Sequence, residues 1–156
     1  MSYSKVNIFG VPISKMSMKE TVAYLSEAIN TRKPHQVITA NPIMVMTGLE
    51  RPSYLQVMKE AELIVPDGAG VVWAAKYVGN PVLERVAGYD LMHELMKIGE
   101  LKGWRVYLLG ASPEIIEAAA ARLKELYPAL QLVGFRDGYF GEKEDSDVIR
   151  VIREAK

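Results

Sequence analysis

Apolar side chains recur along this chain with two periods. At the start, Val6 to Phe9 and Val11 to Ile13 alternate around Gly10 and Pro12, which predicts a hairpin or edge strand. Ser17 and Glu20 have the spacing of a capping box, and Met18, Val22, Leu25 and Ile29 then follow at helical spacing along one face, predicting a helix that ends near Arg32. Gln36 to Ala40 reads as a buried strand, closed by Asn41 as N-cap and Pro42 at the first helical position. The pattern repeats as Leu63 to Val65, stopped by Pro66-Asp67-Gly68, and a helix from Ala69 to Tyr77.

Tyr89 to Lys102 is amphipathic, with Leu91, Leu95 and Ile98 on one stripe, and Gly103 ends it. A strand from Arg105 to Leu109 turns through Gly110-Ala111-Ser112-Pro113, with Ser112 as N-cap, into a helix from Ile115 to Leu126. Leu130 to Phe135 is the next strand, and Asp145 or Ser146 caps a last helix whose Val148, Ile149 and Ile152 are expected to face inward. Alternation at these lengths predicts one α/β domain, residues 1–156, with a mostly parallel sheet in three layers and a small N-terminal hairpin. A final helix normally leads to another parallel strand, so the chain is expected to be a domain cut short at its C-terminus.

Composition narrows the class. Among 156 residues, 19 Lys and Arg balance 19 Asp and Glu, which removes the cationic footprint of a nucleic-acid binder. The absence of cysteine excludes disulfides, a thiol nucleophile and thiolate metal sites. The best apolar stretch, Leu63 to Val78, is interrupted by Pro66, Asp67, Gly68, Gly70 and Lys76, and no secretory signal opens the chain, so a cytoplasmic protein is expected.

In α/β sheets ligands bind outside the carboxyl ends of strands. Four predicted turns lie there: Thr39-Ala40-Asn41-Pro42, Pro66-Asp67-Gly68, Gly110-Ala111-Ser112 and Asp137-Gly138-Tyr139. Asp67 is the sharpest candidate, either as a general base on a substrate hydroxyl or as N-cap of the helix beginning near Ala69. Asn41 has the same two readings, with the following proline favouring the cap, and Thr39 is either a core hydroxyl or a ligand contact. Arg85 is either an ion-pair partner of Glu84 or a clamp on phosphate. Gly68-x-Gly70 matches the start of a dinucleotide fingerprint, but Trp73 stands where its third glycine belongs. Asp145-Ser146-Asp147 fits a helix opening better than a metal signature, and His35 and His93 have no partner at ligand spacing, so no metal or other cofactor is expected.

Three blocks, Ile38 to Pro42, Ala61 to Ala74 and Glu84 to Met92, closely resemble the WecG/TagA/CpsF glycosyltransferase family, most of all its teichoic-acid members. Leu108 to Ala111, Tyr127-Pro128 and Asp137 to Phe140 are similar to that family's later blocks. The resemblance implies a Rossmann-like sandwich and metal-independent, inverting transfer of N-acetylmannosamine from a UDP-sugar donor to polyprenyl-diphosphate-linked N-acetylglucosamine. It leaves open the uronic acid of that sugar as donor. Asp67 matches the family's proposed base, Thr39 and Asn41 its polar pocket residues, and Arg85 a cation near the leaving diphosphate. Gly68 permits close approach of substrate, and Gly110, Gly138 and Tyr139 are candidates for cradling UDP. The family continues with a segment that completes the site and reaches the membrane; this chain is expected to lack it, so attachment at the inner face of the plasma membrane is expected only of a longer protein. A homo-oligomer is expected through the apolar face so exposed. Two other classes compete: a nicotinamide-dependent oxidoreductase and a non-catalytic nucleotide-binding module.

Overall fold

Period-two alternation in Lys5-Val6-Asn7-Ile8 buries every second side chain, and the segment pairs antiparallel as β1 (Lys5–Ile8) and β2 (Val11–Ser14). Phe9 and Gly10 make the two-residue turn with φ of +50° and +89°, the positive pair that matches strand twist. Pro12, read from sequence as part of the turn, lies within β2 opposite Asn7. The computed structural model describes residues 3–155, in two compact units that divide between residues 94 and 95.

In the first unit the hairpin is followed by α1 (Met18–Asn30), β3 (Val37–Ala40), α2 (Pro42–Glu50), α3 (Pro52–Glu60), β4 (Leu63–Pro66) and α4 (Ala69–Tyr77), and α5 (Gly88–Lys102) begins there. β3 and β4 pair in parallel, from Val37 opposite Leu63 to Ala40 opposite Pro66. All four residues of β4 are buried, as an unbroken apolar run on a parallel strand requires. β2 packs alongside β4, and Ile13, Ile38, Val45, Met58, Ile64 and Val71 share one core.

The capping box of α1 forms: Ser17 Oγ accepts from Glu20 N–H, and a Glu20 carboxylate oxygen accepts from Ser17 N–H at 2.8 Å. Ser17 N–H foremost, and then the Ser17 hydroxyl donating to the same carboxylate at 2.8 Å, hold the Glu20 carboxyl below its ordinary pKa. Of the stripe Met18, Val22, Leu25 and Ile29 only Leu25 is buried, and Thr21 and Ala28 complete the buried face. Thr21 and Ala28 are small enough to let the helix backbone approach the core, which rotates Ile29 outward.

The second unit holds the end of α5, then β5 (Arg105–Leu109), α6 (Pro113–Leu126), β6 (Gln131–Arg136), a 3-10 turn at Glu142–Glu144 and α7 (Asp145–Glu154). β5 and β6 are parallel, with a register shift after Val106. Beyond it Tyr107 lies over Gly134, where a Cβ would meet the Tyr107 ring at 2.6 Å. Leu123, Tyr127 and Leu130 form the local core with Met96, Val106 and Leu108. Glu144, rather than Asp145 or Ser146, occupies the N-cap of α7, and of the three residues predicted inward only Val148 is buried. Ile149 is exposed, one helical position away from the buried line.

The α/β class is as the alternation predicts. Pairing among the described residues is in three two-stranded ladders, one antiparallel and two parallel. No helix among the described residues is long and apolar enough to cross a membrane.

Candidate active site

The β3–β4 ladder delivers two polar residues side by side. Its last pair is Ala40 and Pro66, and Asp67 N–H donates to Ala40 O at 2.9 Å, so Asn41 and Asp67 leave the sheet together. Asn41 caps α2, its Oδ1 accepting from Met44 N–H at 3.0 Å with Pro42 at the helix start. The capping reading of Asn41 therefore holds, and its amide N–H groups remain as donors. Gly68 has φ of +97°, a conformation that favours glycine, and a Cβ on Gly70 would lie 2.7 Å from Pro42 Cγ. Both glycines are accounted for by contact between the first turns of α2 and α4.

Asp67 is a cap, but of a different helix from the one predicted. The N-cap of α4 is Gly68, with no side-chain bond. Asp67 Oδ2 instead accepts from Gly88 N–H at 3.0 Å, 21 residues on, at the first residue of α5. Val86 N–H donates to Pro66 O at 2.9 Å, so residues 85–88 run along the end of β4. Thr39 lies beneath this junction: a Cβ on Gly88 would stand 2.9 Å from Thr39 Cγ2 and 3.0 Å from Oγ1. Half-buried Asp67 has no second hydrogen bond from the described residues, which leaves Oδ1 able to accept from a ligand.

Arg85 is exposed and makes no ion pair among the described residues. The pairing with Glu84 does not form, because a Glu84 carboxylate oxygen accepts from Met18 N–H at the start of α1. The first unit thus brings Thr39, Asn41, Asp67 and Gly68 together, with Arg85 on the adjoining loop. Three helix N-termini, those of α2, α4 and α5, adjoin one carboxylate. Their unpaired N–H groups and positive dipole ends suit an anionic ligand, while the carboxylate can take a proton from a hydroxyl.

In the second unit Gly110, Gly138 and Tyr139 meet. Gly110 N–H donates to Arg136 O at 3.0 Å and Gly138 N–H to Ala111 O at 2.9 Å. A Cβ on Gly138 would come 3.1 Å from Gly110 Cα. Asp137 Oδ1 accepts from Tyr139 N–H at 2.9 Å, and the Tyr139 ring is exposed. Ser112 precedes α6 in an extended conformation without making the predicted cap bond.

Sequence reasoning did not single out Gly88, read Gly70 only as part of a dinucleotide turn and Glu84 only as a partner for Arg85. Each works through a partner distant in sequence, and local pattern carries no signal for that. The other chemistry-bearing candidates have structural partners: His93 packs edge-on against Tyr89 at 4.5 Å, His35 Nδ1 meets Lys33 O at 2.8 Å, and Asp147 pairs with Arg150 at 3.3 Å.

Comparison with known proteins identifies the family. The sequence model of the glycosyl transferase WecG/TagA/CpsF family matches residues 6–156. An N-acetylglucosaminyldiphosphoundecaprenol N-acetyl-beta-D-mannosaminyltransferase of Bacillus spizizenii is 35% identical over 109 residues, covering 70% of this chain and 42% of that protein. A protein of the same name from Staphylococcus aureus is 32% identical over 152 residues, covering 96% of this chain and 59% of its own length. The chain therefore spans between two fifths and three fifths of the curated relatives it matches.

Proposed function

The chain belongs to the WecG/TagA/CpsF family of glycosyltransferases, and from that premise we propose that it transfers N-acetylmannosamine from its UDP donor to undecaprenyl-diphosphate-linked N-acetylglucosamine. The relatives' names support this choice of donor sugar and acceptor. On this reading residues 1–156 act as one catalytic core, and the product is the linkage disaccharide of a wall polymer.

One observation carries the mechanism: Gly88 N–H fixes Oδ2 of Asp67 and leaves Oδ1 without a partner among the described residues. A carboxylate tethered at one oxygen presents the other in a defined direction, as a general base must. Oδ1 takes the proton of the acceptor hydroxyl as that oxygen attacks the anomeric carbon. The carbon–oxygen bond to UDP breaks on the opposite face, so configuration inverts and UDP leaves with the bonding pair. Arg85 offsets the charge that develops on the departing diphosphate, the task a divalent cation performs in metal-dependent transferases. Thr39 and the Asn41 amide contact the sugars, and Gly68 lets them approach the backbone. Gly110, Gly138 and Tyr139 serve UDP.

The lipid acceptor places the working protein peripherally at the cytoplasmic membrane face. The test is UDP release, which requires donor and acceptor together and persists in EDTA. Asp67→Asn lowers it by about 10²–10⁴-fold. Near wild-type release by that variant overturns the base assignment. UDP binding without release from any donor overturns the enzyme reading in favour of a nucleotide-binding module.

A further inference from the structure

The apolar surface next to Asp67 is not explained by the transfer step. Ile43 is 76% exposed, Trp73 66% and Tyr77 78%, and Met46 is half exposed. These side chains lie on α2 and α4, whose first turns touch where Gly70 meets Pro42. Met46 is one turn beyond Pro42; Trp73 and Tyr77 are one and two turns beyond Gly70, so all three continue the flanks that meet at that contact. The Trp73 and Tyr77 rings stack at 5.2 Å with 20° between planes, a rigid flat surface. A shallow groove of about 340 Å³ begins at Pro42, runs past Ile43 and Met46, and ends at Thr47 and Glu50. The only charged residue of α4 is Lys76. The stripe therefore starts beside the turns carrying Asn41, Gly68 and Asp67 and leads away from them.

We propose that this stripe on α2 and α4 binds the first isoprene units of the polyprenyl chain carried by the acceptor. The inference rests on the proposed function for the identity of that acceptor. With the sugar hydroxyl at Asp67, the diphosphate lies one sugar away and its lipid chain must leave across the adjoining surface. The helix N-termini supply the anion-binding end, and the Ile43–Met46 groove with the Trp73–Tyr77 stack supplies the apolar continuation. Branched five-carbon units bind to such a surface by removing its apolar area from water.

The test is calorimetric titration of the chain with inorganic diphosphate, geranyl diphosphate and farnesyl diphosphate. Affinity rises stepwise by at least tenfold across the series. In the double variant I43S/W73S the rise falls below threefold, while affinity for inorganic diphosphate and the melting temperature stay unchanged; both sites are exposed, so folding is spared. Equal affinity across the series, or a rise that survives the substitutions, overturns the proposal. So does sedimentation showing that the stripe pairs two copies of the chain, or partition onto phosphatidylcholine vesicles that the double variant loses. Release of UDP with a short water-soluble acceptor is scored separately: its absence beside an intact prenyl series faults the transferase reading, and its presence beside a flat series faults the stripe.

Discussion

Asp67 divides its work between two oxygens, and substitutions can separate them. Asparagine keeps an acceptor for Gly88 N–H but cannot take a proton. Asp67→Asn therefore loses turnover while its unfolding free energy, measured in urea, stays within about 1 kcal/mol of wild type. Asp67→Ala loses the same turnover and a further ~1 kcal/mol of stability, because the start of α5 is left uncapped. The sequence marked this residue from its place after a buried strand, yet pointed to the wrong helix, since caps are read locally and Gly88 is 21 residues away. Arg85 fails the same way in reverse: its neighbour Glu84 is engaged by Met18 N–H, so adjacency in sequence predicted a pair that folding does not make. Tyr3 supplies a pH test. Its hydroxyl donates to Glu62 O, and burial first, then Tyr24 and Glu62, pushes its pKa from the ordinary 10.0 up to about 12. A phenol whose folded pKa is raised contributes stability in full below the unfolded value and loses it as pH climbs through the folded one. The urea midpoint should thus fall between pH 10 and 12 more steeply in wild type than in Tyr3→Phe.

Elements meet at glycines that no periodicity reveals. Alanine is normally the better helix residue by about 1 kcal/mol, so Gly88→Ala at the start of α5 looks favourable on propensity alone. Its Cβ would stand 2.9 Å from Thr39 Cγ2 and 3.0 Å from Oγ1, and overpacking of that kind costs about 1–3 kcal/mol. Gly88→Ala should therefore destabilise the chain and displace the N–H that orients Asp67, lowering turnover as well. Adding Thr39→Ala removes both clashing atoms, and the double variant should regain part of the stability, a coupling read from a double-mutant cycle. An additive cycle shows that the two residues do not touch. Helix ends were legible where the signal is local: Ser17 with Glu20, and Asn41 with Pro42, start α1 and α2 as predicted. Helix faces were less so. Thr21 and Ala28 carry the buried side of α1, and a count of large apolar residues passes over them because close approach selects for small side chains.

At the scale of the molecule, alternation of strands and helices revealed the α/β class, because each apolar run has a length and period that permit one element. How strands group was not legible, since β3, β4, β5 and β6 are all short and apolar and nothing local names a partner. The structure resolves them into one parallel ladder in each unit. Each ladder ends in its own turns, Asn41 with Asp67 and Gly68 in one unit, Gly110 with Gly138 and Tyr139 in the other, and the proposed function gives them separate duties. That division is testable by binding apart from turnover. A Cβ on Gly138 would lie 3.1 Å from Gly110 Cα, backbone that has little room to yield because Gly110 N–H and Gly138 N–H are both engaged across the two turns. Gly138→Ala should reshape the surface offered to UDP and raise its dissociation constant about tenfold, a loss of roughly 1.4 kcal/mol. Asp67→Asn should leave the same constant within about twofold, since it removes a proton acceptor and no contact assigned to the nucleotide. If Asp67→Asn weakens UDP binding as much as Gly138→Ala does, the nucleotide depends on the first unit's carboxylate, and the assignment of UDP to the Gly110 and Gly138 turns is wrong.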